Sequence, residues 1–267
     1  MELRTLFQTL LPVELQVPTH ITRRLLASLG YYRFRTWVAA HGDAVPDSRL
    51  YQPLYSPWEG EQAFENIYRR LQSLTLVSRE RCYILWRTLQ QSVHLQGDFV
   101  ECGVFRGGTA LLAAQTLQEH MPRERKFHLF DSFEGMPKTT CSIDRFRSGD
   151  FSRTSVEAVG NLLAPYSFVK LHRGFIPHTF ADLQIDQIAW AHIDVDIYQS
   201  VYDCIRYIYP RLVTGAFLIF DDYGFPSCAG ARRAVDEAFA ILPEVTLCLP
   251  TGQCLVVKLE GKTVLNQ

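Results

Sequence analysis

A chain of 267 residues, 47% of them hydrophobic, is long enough for one large α/β domain with an appendage and can bury a substantial core. Lys and Arg total 27 against 28 Asp and Glu, so no net field draws a polyanion or an acidic membrane surface, and neither nucleic acid nor membrane is an expected partner. Seven cysteines without a C-x-x-C pair suggest neither a disulfide framework nor a zinc site; with no basic start and apolar block in Met1 to Val17, and no window near the ~18 residues that span a bilayer, a reducing cytoplasm is the expected location.

Residues 1–74 read as a helical cap serving oligomerisation and as a substrate lid. Helical stretches at Thr19–Leu29 and Glu61–Leu74 flank a loop-like run containing Pro46, Pro53 and Pro57. Tyr51, Tyr55 and Trp58 either line a substrate mouth or are buried in a cap–core or subunit interface, and a homo-oligomer is expected. From residue 75 to 267, apolar runs alternate with helical patterns, the signature of a mainly parallel sheet covered on both faces. The pattern predicts strands at Asp98–Val104, Lys126–Ser132, Ser167–Arg173, Ile188–Asp196, Gly215–Asp221, Val245–Leu249 and Gln253–Leu259. Helices are predicted between them at Gly108–His120, Ser152–Leu163, Thr179–Leu183, Tyr198–Tyr209 and Cys228–Leu242. Pro250-Thr251-Gly252 is too short for a parallel crossover, so the last two strands should form an antiparallel hairpin. The expected fold is therefore a Rossmann-like α/β sheet of methyltransferase type, with seven strands.

Two features of this sheet carry chemistry. The first is Glu101-Cys102-Gly103-Val104-Phe105-Arg106-Gly107-Gly108, a strand end, a glycine-punctuated turn and a helix start. Gly103 permits close approach of backbone to a ligand, and Gly107-Gly108 a tight helix entry. The dinucleotide spacing G-x-G-x-x-G is absent. Glu101, just before the first glycine, would suit the ammonium or sulfonium end of S-adenosylmethionine, and Asp131 at the next strand end lies where such folds bind ribose hydroxyls. Alternatively both acids merely cap strand ends. The second feature is the pair of strand ends Asp194-Val195-Asp196 and Asp221-Asp222, whose carboxylates would converge on one crevice and need a hard cation, a proton or a cationic ligand between them.

The runs Leu74-Thr75-Leu76-Val77-Ser78-Arg79-Glu80-Arg81, Gly97 to Gly108, Phe130-Asp131-Ser132-Phe133-Glu134-Gly135-Met136-Pro137 and Asp221-Asp222-Tyr223, in this order, resemble the macrocin O-methyltransferase family. The resemblance spans about Leu74 to Phe239. It implies a class I, S-adenosylmethionine-dependent and often Mg²⁺-dependent enzyme that methylates hydroxyls of natural-product sugars, with a small hydroxylated acceptor as partner. Carried to matching positions, it implies Asp194, Asp221 and Asp222 as Mg²⁺ ligands, with Asp194 also the base. The expected cofactor set is Thr75, Glu101, Cys102, Gly103, Val104, Gly107, Gly108, Asp131, Ser132 and Gly174. This chain departs from the family pattern at Val195, where glycine is usual, at Gln199, where an acid is usual, and at His192, often arginine.

Methyl transfer from a sulfonium is an in-line displacement by an oxygen, and a divalent cation on two adjacent acceptor oxygens would acidify and orient the reacting hydroxyl. On one strand, His192, Asp194 and Asp196 would share a face, so His192 or Asp196 would assist proton removal. The alternatives are a hydrogen-bonded core histidine and an Asp196 that caps the Tyr198 helix. Tyr198 and Tyr223 either touch the acceptor or pack, and Arg232 and Arg233 form a solvated face. Competing functions are a metal-independent methyltransferase with Asp194 as base and a non-catalytic binding protein of the same fold.

Overall fold

A computed structural model describes residues 56–120, 125–139, 142–181 and 183–260. Tyr51, Tyr55, Cys141 and the predicted Thr19–Leu29 helix lie outside the described residues. Within the unit Trp58–Gln267 the described elements are α1 (Gln62–Leu71), α2 (Arg79–Ser92), β1 (Asp98–Cys102), α3 (Gly108–His120), β2 (Phe127–Asp131), α4 (Val156–Leu163) and β3 (Val169–Arg173). They continue with β4 (Ile188–Ile193), α5 (Tyr198–Ile208), β5 (Leu212–Phe220), α6 (Ala229–Phe239), β6 (Leu247–Cys248) and β7 (Cys254–Val257). The predicted short helix after β3 is a single 3-10 turn, His178–Phe180.

The strands form one sheet in the order β3-β2-β1-β4-β5-β7-β6. The first five are parallel, and β7 runs antiparallel to both β5 and β6, as the short Pro250–Gly252 turn requires. Every residue of β4 is buried, as expected for a central strand covered on both faces. The edge strand β3 is half exposed and carries Lys170 and Arg173, charges that discourage edge-to-edge pairing.

Side chains alternate across the sheet and separate two cores. Phe99, Leu129, Trp190 and Ile219 pack with α1, α2 and α3, whereas Val100, Phe130, Ala191 and Leu218 pack with α5 and α6. Helix α2 is absent from the predicted elements. Its buried positions Cys82, Leu85, Trp86 and Leu89 recur at helical spacing, and Thr88 accepts the indole N–H of Trp190 at 3.0 Å. Helix α1, predicted as part of the cap, buries Phe64, Ile67 and Leu71 in this same core.

One strand boundary matters for the site. β4 stops at Ile193 instead of running to Asp196: the Asp194 N–H still reaches the Cys102 carbonyl at 2.8 Å, but Asp196 turns into the left-handed region at φ 58°. The expected common face of His192, Asp194 and Asp196 therefore does not exist. The order of strands reverses between β1 and β4, and ligands of open α/β sheets bind at that switch, beyond the carboxyl ends.

Candidate functional site

A cavity of about 260 Å³ opens at this switch point. Its floor is the β1–α3 turn, where Gly103 and Val104 face the opening. Gly103 has φ 89°, and a Cβ built there would stand 1.8 Å from the Asp194 carbonyl oxygen. The glycine is thus needed because the turn passes directly against the end of β4. Asp131, at the end of β2, pins the same turn: Oδ2 accepts the Val104 and Phe105 N–H groups at 2.8 and 2.9 Å, and Oδ1 accepts that of Phe133 at 2.7 Å.

Of the expected cofactor residues, Thr75, Gly103, Val104, Asp131, Ser132 and Gly174 line the cavity. The other four do not. Glu101 is fully buried on the α2–α3 side, where Oε1 accepts from Thr109 at 2.5 Å and Oε2 has no hydrogen-bond partner. Cys102 points into the opposite core. Gly107 packs near Leu162 and Val159, and Gly108 lets the Leu74–Thr75 backbone pass. These residues shape the turn from behind.

The acids divide for a simple reason: consecutive residues leaving a strand point to opposite faces. Asp221 is buried on the α2 side, and Asp222 looks toward the start of α6. Asp194, Asp196 and Asp222 line the cavity, while Asp221 and His192 lie behind it. The ligand atoms of His192, Asp194 and Asp221 fall within 4.8 Å of one another, as do those of Asp196, Asp222 and Cys228. Burial raises the Asp194 and Asp222 carboxyls well above their ordinary range, and the neighbouring acids add to it. Burial likewise brings Asp196 up to about 6, against a lowering contact from Cys228.

Asp221 behaves oppositely. Arg81 ion-pairs with its Oδ2, Gln253 donates to Oδ1 at 2.8 Å, and His192 Nε2 stands at 3.4 Å. Burial alone would raise it, but these contacts, His192 foremost, hold it below the usual carboxylate range. His192, expected as a catalytic group, has no exposed surface. Burial, which lowers its pKa, is outweighed by Asp221 and Glu101, so the imidazole is pushed up to about 10. It is a cation clamped between two buried acids, with Glu101 at 3.8 Å from Nδ1, too far to hydrogen-bond.

Arg81 is the residue that sequence reasoning missed. It lines the cavity, donates to the Leu76 carbonyl at 3.0 Å and to Ser78 at 3.2 Å, and lies over the Phe225 ring at 4.8 Å. Its presence in the Leu74–Arg81 motif was the available signal, but its partner lies 140 residues downstream. The cavity mouth is also apolar in a way the sequence did not reveal: Leu76, Met136 and Phe151 line it, and Leu76 is 66% exposed. Tyr198 and Tyr223 pack against α6 instead, their hydroxyls on Glu237 and Asp236 at 2.6 and 2.7 Å.

An oxygen donor set such as Asp194 and Asp222 suits a hard cation, which would offset the burial and the neighbouring acids that raise their pKa values. Asp221 already has a cationic partner in Arg81.

Residues 68–245 match the family described as macrocin-O-methyltransferase (TylF). The chain is 29% identical over 178 residues to mycinamicin III 3''-O-methyltransferase of Micromonospora griseorubida, covering 61% of this chain and 69% of that enzyme. It is 32% identical over 155 residues to demethyldecarbamoylnovobiocin O-methyltransferase of Streptomyces niveus, covering 54% of this chain and 58% of that enzyme. Among solved structures, the O-methyltransferase NovP superposes with a TM-score of 0.64 at 25% identity, over 70% of this chain and 83% of NovP. Calicheamicin methyltransferase CalS11 does so with a TM-score of 0.57 at 20% identity, over 81% of this chain and 98% of CalS11, a likeness of fold.

Proposed function

The chain belongs to the macrocin-O-methyltransferase family, and from that premise we propose that it transfers a methyl group from S-adenosylmethionine to a hydroxyl of a small natural product, a sugar or polyketide-like acceptor, with Mg²⁺ held by the cavity-facing Asp194 and Asp222, while Asp221, expected as a third ligand, stays paired with Arg81 behind the cavity. The observation that carries this reading is the joining of two parts in one cavity: the Asp131-pinned glycine turn and, 1.8 Å from a Cβ on Gly103, the backbone of the acid Asp194.

Bound S-adenosylmethionine supplies an electrophilic methyl, and bound Mg²⁺ supplies a Lewis acid that lowers the pKa of the acceptor hydroxyl. The chain's own residues do the rest. Gly103, Val104, Asp131 and Ser132 receive the donor on the β1–β2 side, with Thr75 and Gly174 at the flanks. Asp194 and Asp222 face the cavity, with Asp194 as the base, and Asp196 faces it beside them, placed to assist proton removal. His192 and Glu101 act behind the site, by holding Asp221 and Thr109 in place. The apolar mouth at Leu76, Met136 and Phe151 keeps water from the transfer and suits the hydrophobic body of a glycosylated acceptor.

A second reading is favoured by one contact. Because Arg81 already neutralises Asp221, the acids have partial compensation without a metal, and Asp194 would then serve only as base. The test is turnover of S-adenosylmethionine with a panel of glycosides and catechols, with and without EDTA. Loss of turnover in EDTA, restored by Mg²⁺, supports the first reading, and turnover that survives EDTA selects the second. Absence of S-adenosylmethionine binding by calorimetry would overturn both in favour of a non-catalytic binding protein.

A further inference from the structure

We propose that Cys248 and Cys254 form an oxidation-sensitive dithiol that closes to a reversible cross-strand disulfide in the β6–β7 hairpin. The two residues are register partners in the antiparallel ladder. The adjacent pair is bonded across the turn, with the Leu249 N–H on the Gln253 carbonyl at 2.8 Å, so Cys248 and Cys254 fall on the next, non-hydrogen-bonded pair. Such pairs have side chains on one face and Cα atoms about 4.5 Å apart. That separation lies at the short end of the roughly 4.4–6.8 Å a disulfide spans, which allows the bond and makes it easily reduced.

Their environments divide the chemistry. Among the described cysteines only Cys248 is exposed, whereas Cys254 is buried. A peroxide would react at Cys248: the sulfur attacks the O–O bond, takes one oxygen as a sulfenic acid and releases water. The Cys254 sulfur then displaces the sulfenic oxygen. The S–S bond forms, the S–O bond breaks and a second water carries away the Cys254 proton. Two thiols are oxidised by two electrons and one peroxide is reduced. Proximity drives the second step despite burial of Cys254, because the ladder register holds the two residues directly opposite one another.

The bond would tie the edge strand to β7 at a sensitive place. Cys254 is paired with Phe220 on β5, one residue before Asp221, and the neighbouring Gln253 donates to the Asp221 carboxylate. The modification site is thus attached to the back of the acid cluster without belonging to it.

Trypsin isolates the pair, since Ala234–Lys258 contains both cysteines and no other. Purified full-length protein is treated with hydrogen peroxide, alkylated with iodoacetamide under denaturing conditions, digested and weighed. The expected result is an Ala234–Lys258 peptide lighter by two hydrogens and carrying no alkyl group, which takes up two after dithiothreitol. In Cys248→Ser the same peptide stays singly alkylated at Cys254 and basal activity is unchanged. Double alkylation of the wild-type peptide after peroxide, or its accumulation as an irreversible sulfinate or sulfonate, would overturn the proposal.

Discussion

Replacing Arg81 by Gln would leave the Asp221 carboxylate, which has no exposed surface, without its guanidinium. Removing one partner of a buried pair costs more than the pair contributes, so Arg81→Gln should lower the unfolding free energy by about 3–5 kcal/mol in urea titration. Adding Asp221→Asn should recover part of that loss, because the buried carboxylate, left with His192 as its charged partner, is then gone. His172 makes a prediction of opposite polarity. Burial, and then the neighbouring His128, bring it down from 6.5 to about 4, while His128 Nδ1 lies 2.9 Å from its Nε2. The folded state therefore binds fewer protons than the unfolded one below 6.5, and stability falls as pH drops from 6.5 toward 4. Urea midpoints at pH values across that window should decline less steeply in His172→Gln than in the wild type. At this scale the sequence makes legible which acids and glycines stand at the strand ends and turns, but not their partners. Asp221 and Asp222 look equivalent in the sequence; strand alternation sends one to Arg81 and the other to the cavity.

Helix α5 begins without a cap of its own: its N-cap is Ile197, and the amide of Tyr198 is instead accepted by Asp144 at 3.1 Å. Asp144 also accepts from Thr139 at 2.5 Å, and it stands where a Cβ on Gly230 of α6 would collide with it. The segment after β2 is thereby fastened to the starts of two helices while its Met136 and Pro137 line the cavity. Asp144→Ala should cost about 1 kcal/mol of stability, the usual value of a lost cap, and should speed tryptic cleavage after Arg145 and Arg147. For α2, Leu89→Ala should cost about 2–5 kcal/mol by thermal or chemical denaturation, since Leu89 is wholly buried. The strands and most helices are readable in chain order because a covered parallel sheet leaves near-continuous apolar runs between turns. The misread boundaries have identifiable causes. The apolar run of β4 continues through Val195, yet the strand ends where the chain bends into the positive φ of Asp196. A cap supplied from 54 residues away leaves no local signature.

At the largest scale described, the mostly parallel seven-stranded sheet with its antiparallel closing hairpin was legible, because the alternation of elements and the short final turn leave few other topologies; the reversal of strand order between β1 and β4 is what the structure adds. Less legible was where the first helix belongs. With α1 contributing Phe64, Ile67 and Leu71 to the core, a chain starting at Trp58 should unfold cooperatively, whereas one starting at Thr75 should expose that core and aggregate, as size-exclusion chromatography would register. The contact of Gly103 with the Asp194 carbonyl reaches furthest. In the proposed reaction the turn that would seat the donor and the acid that would meet the acceptor hang on the same rivet, so neither could be re-aimed without dragging the other. On that reading, tailoring toward new acceptors would fall to the rim, around Leu76, Met136 and Phe151, where side chains can be exchanged without disturbing the Gly103–Asp194 junction.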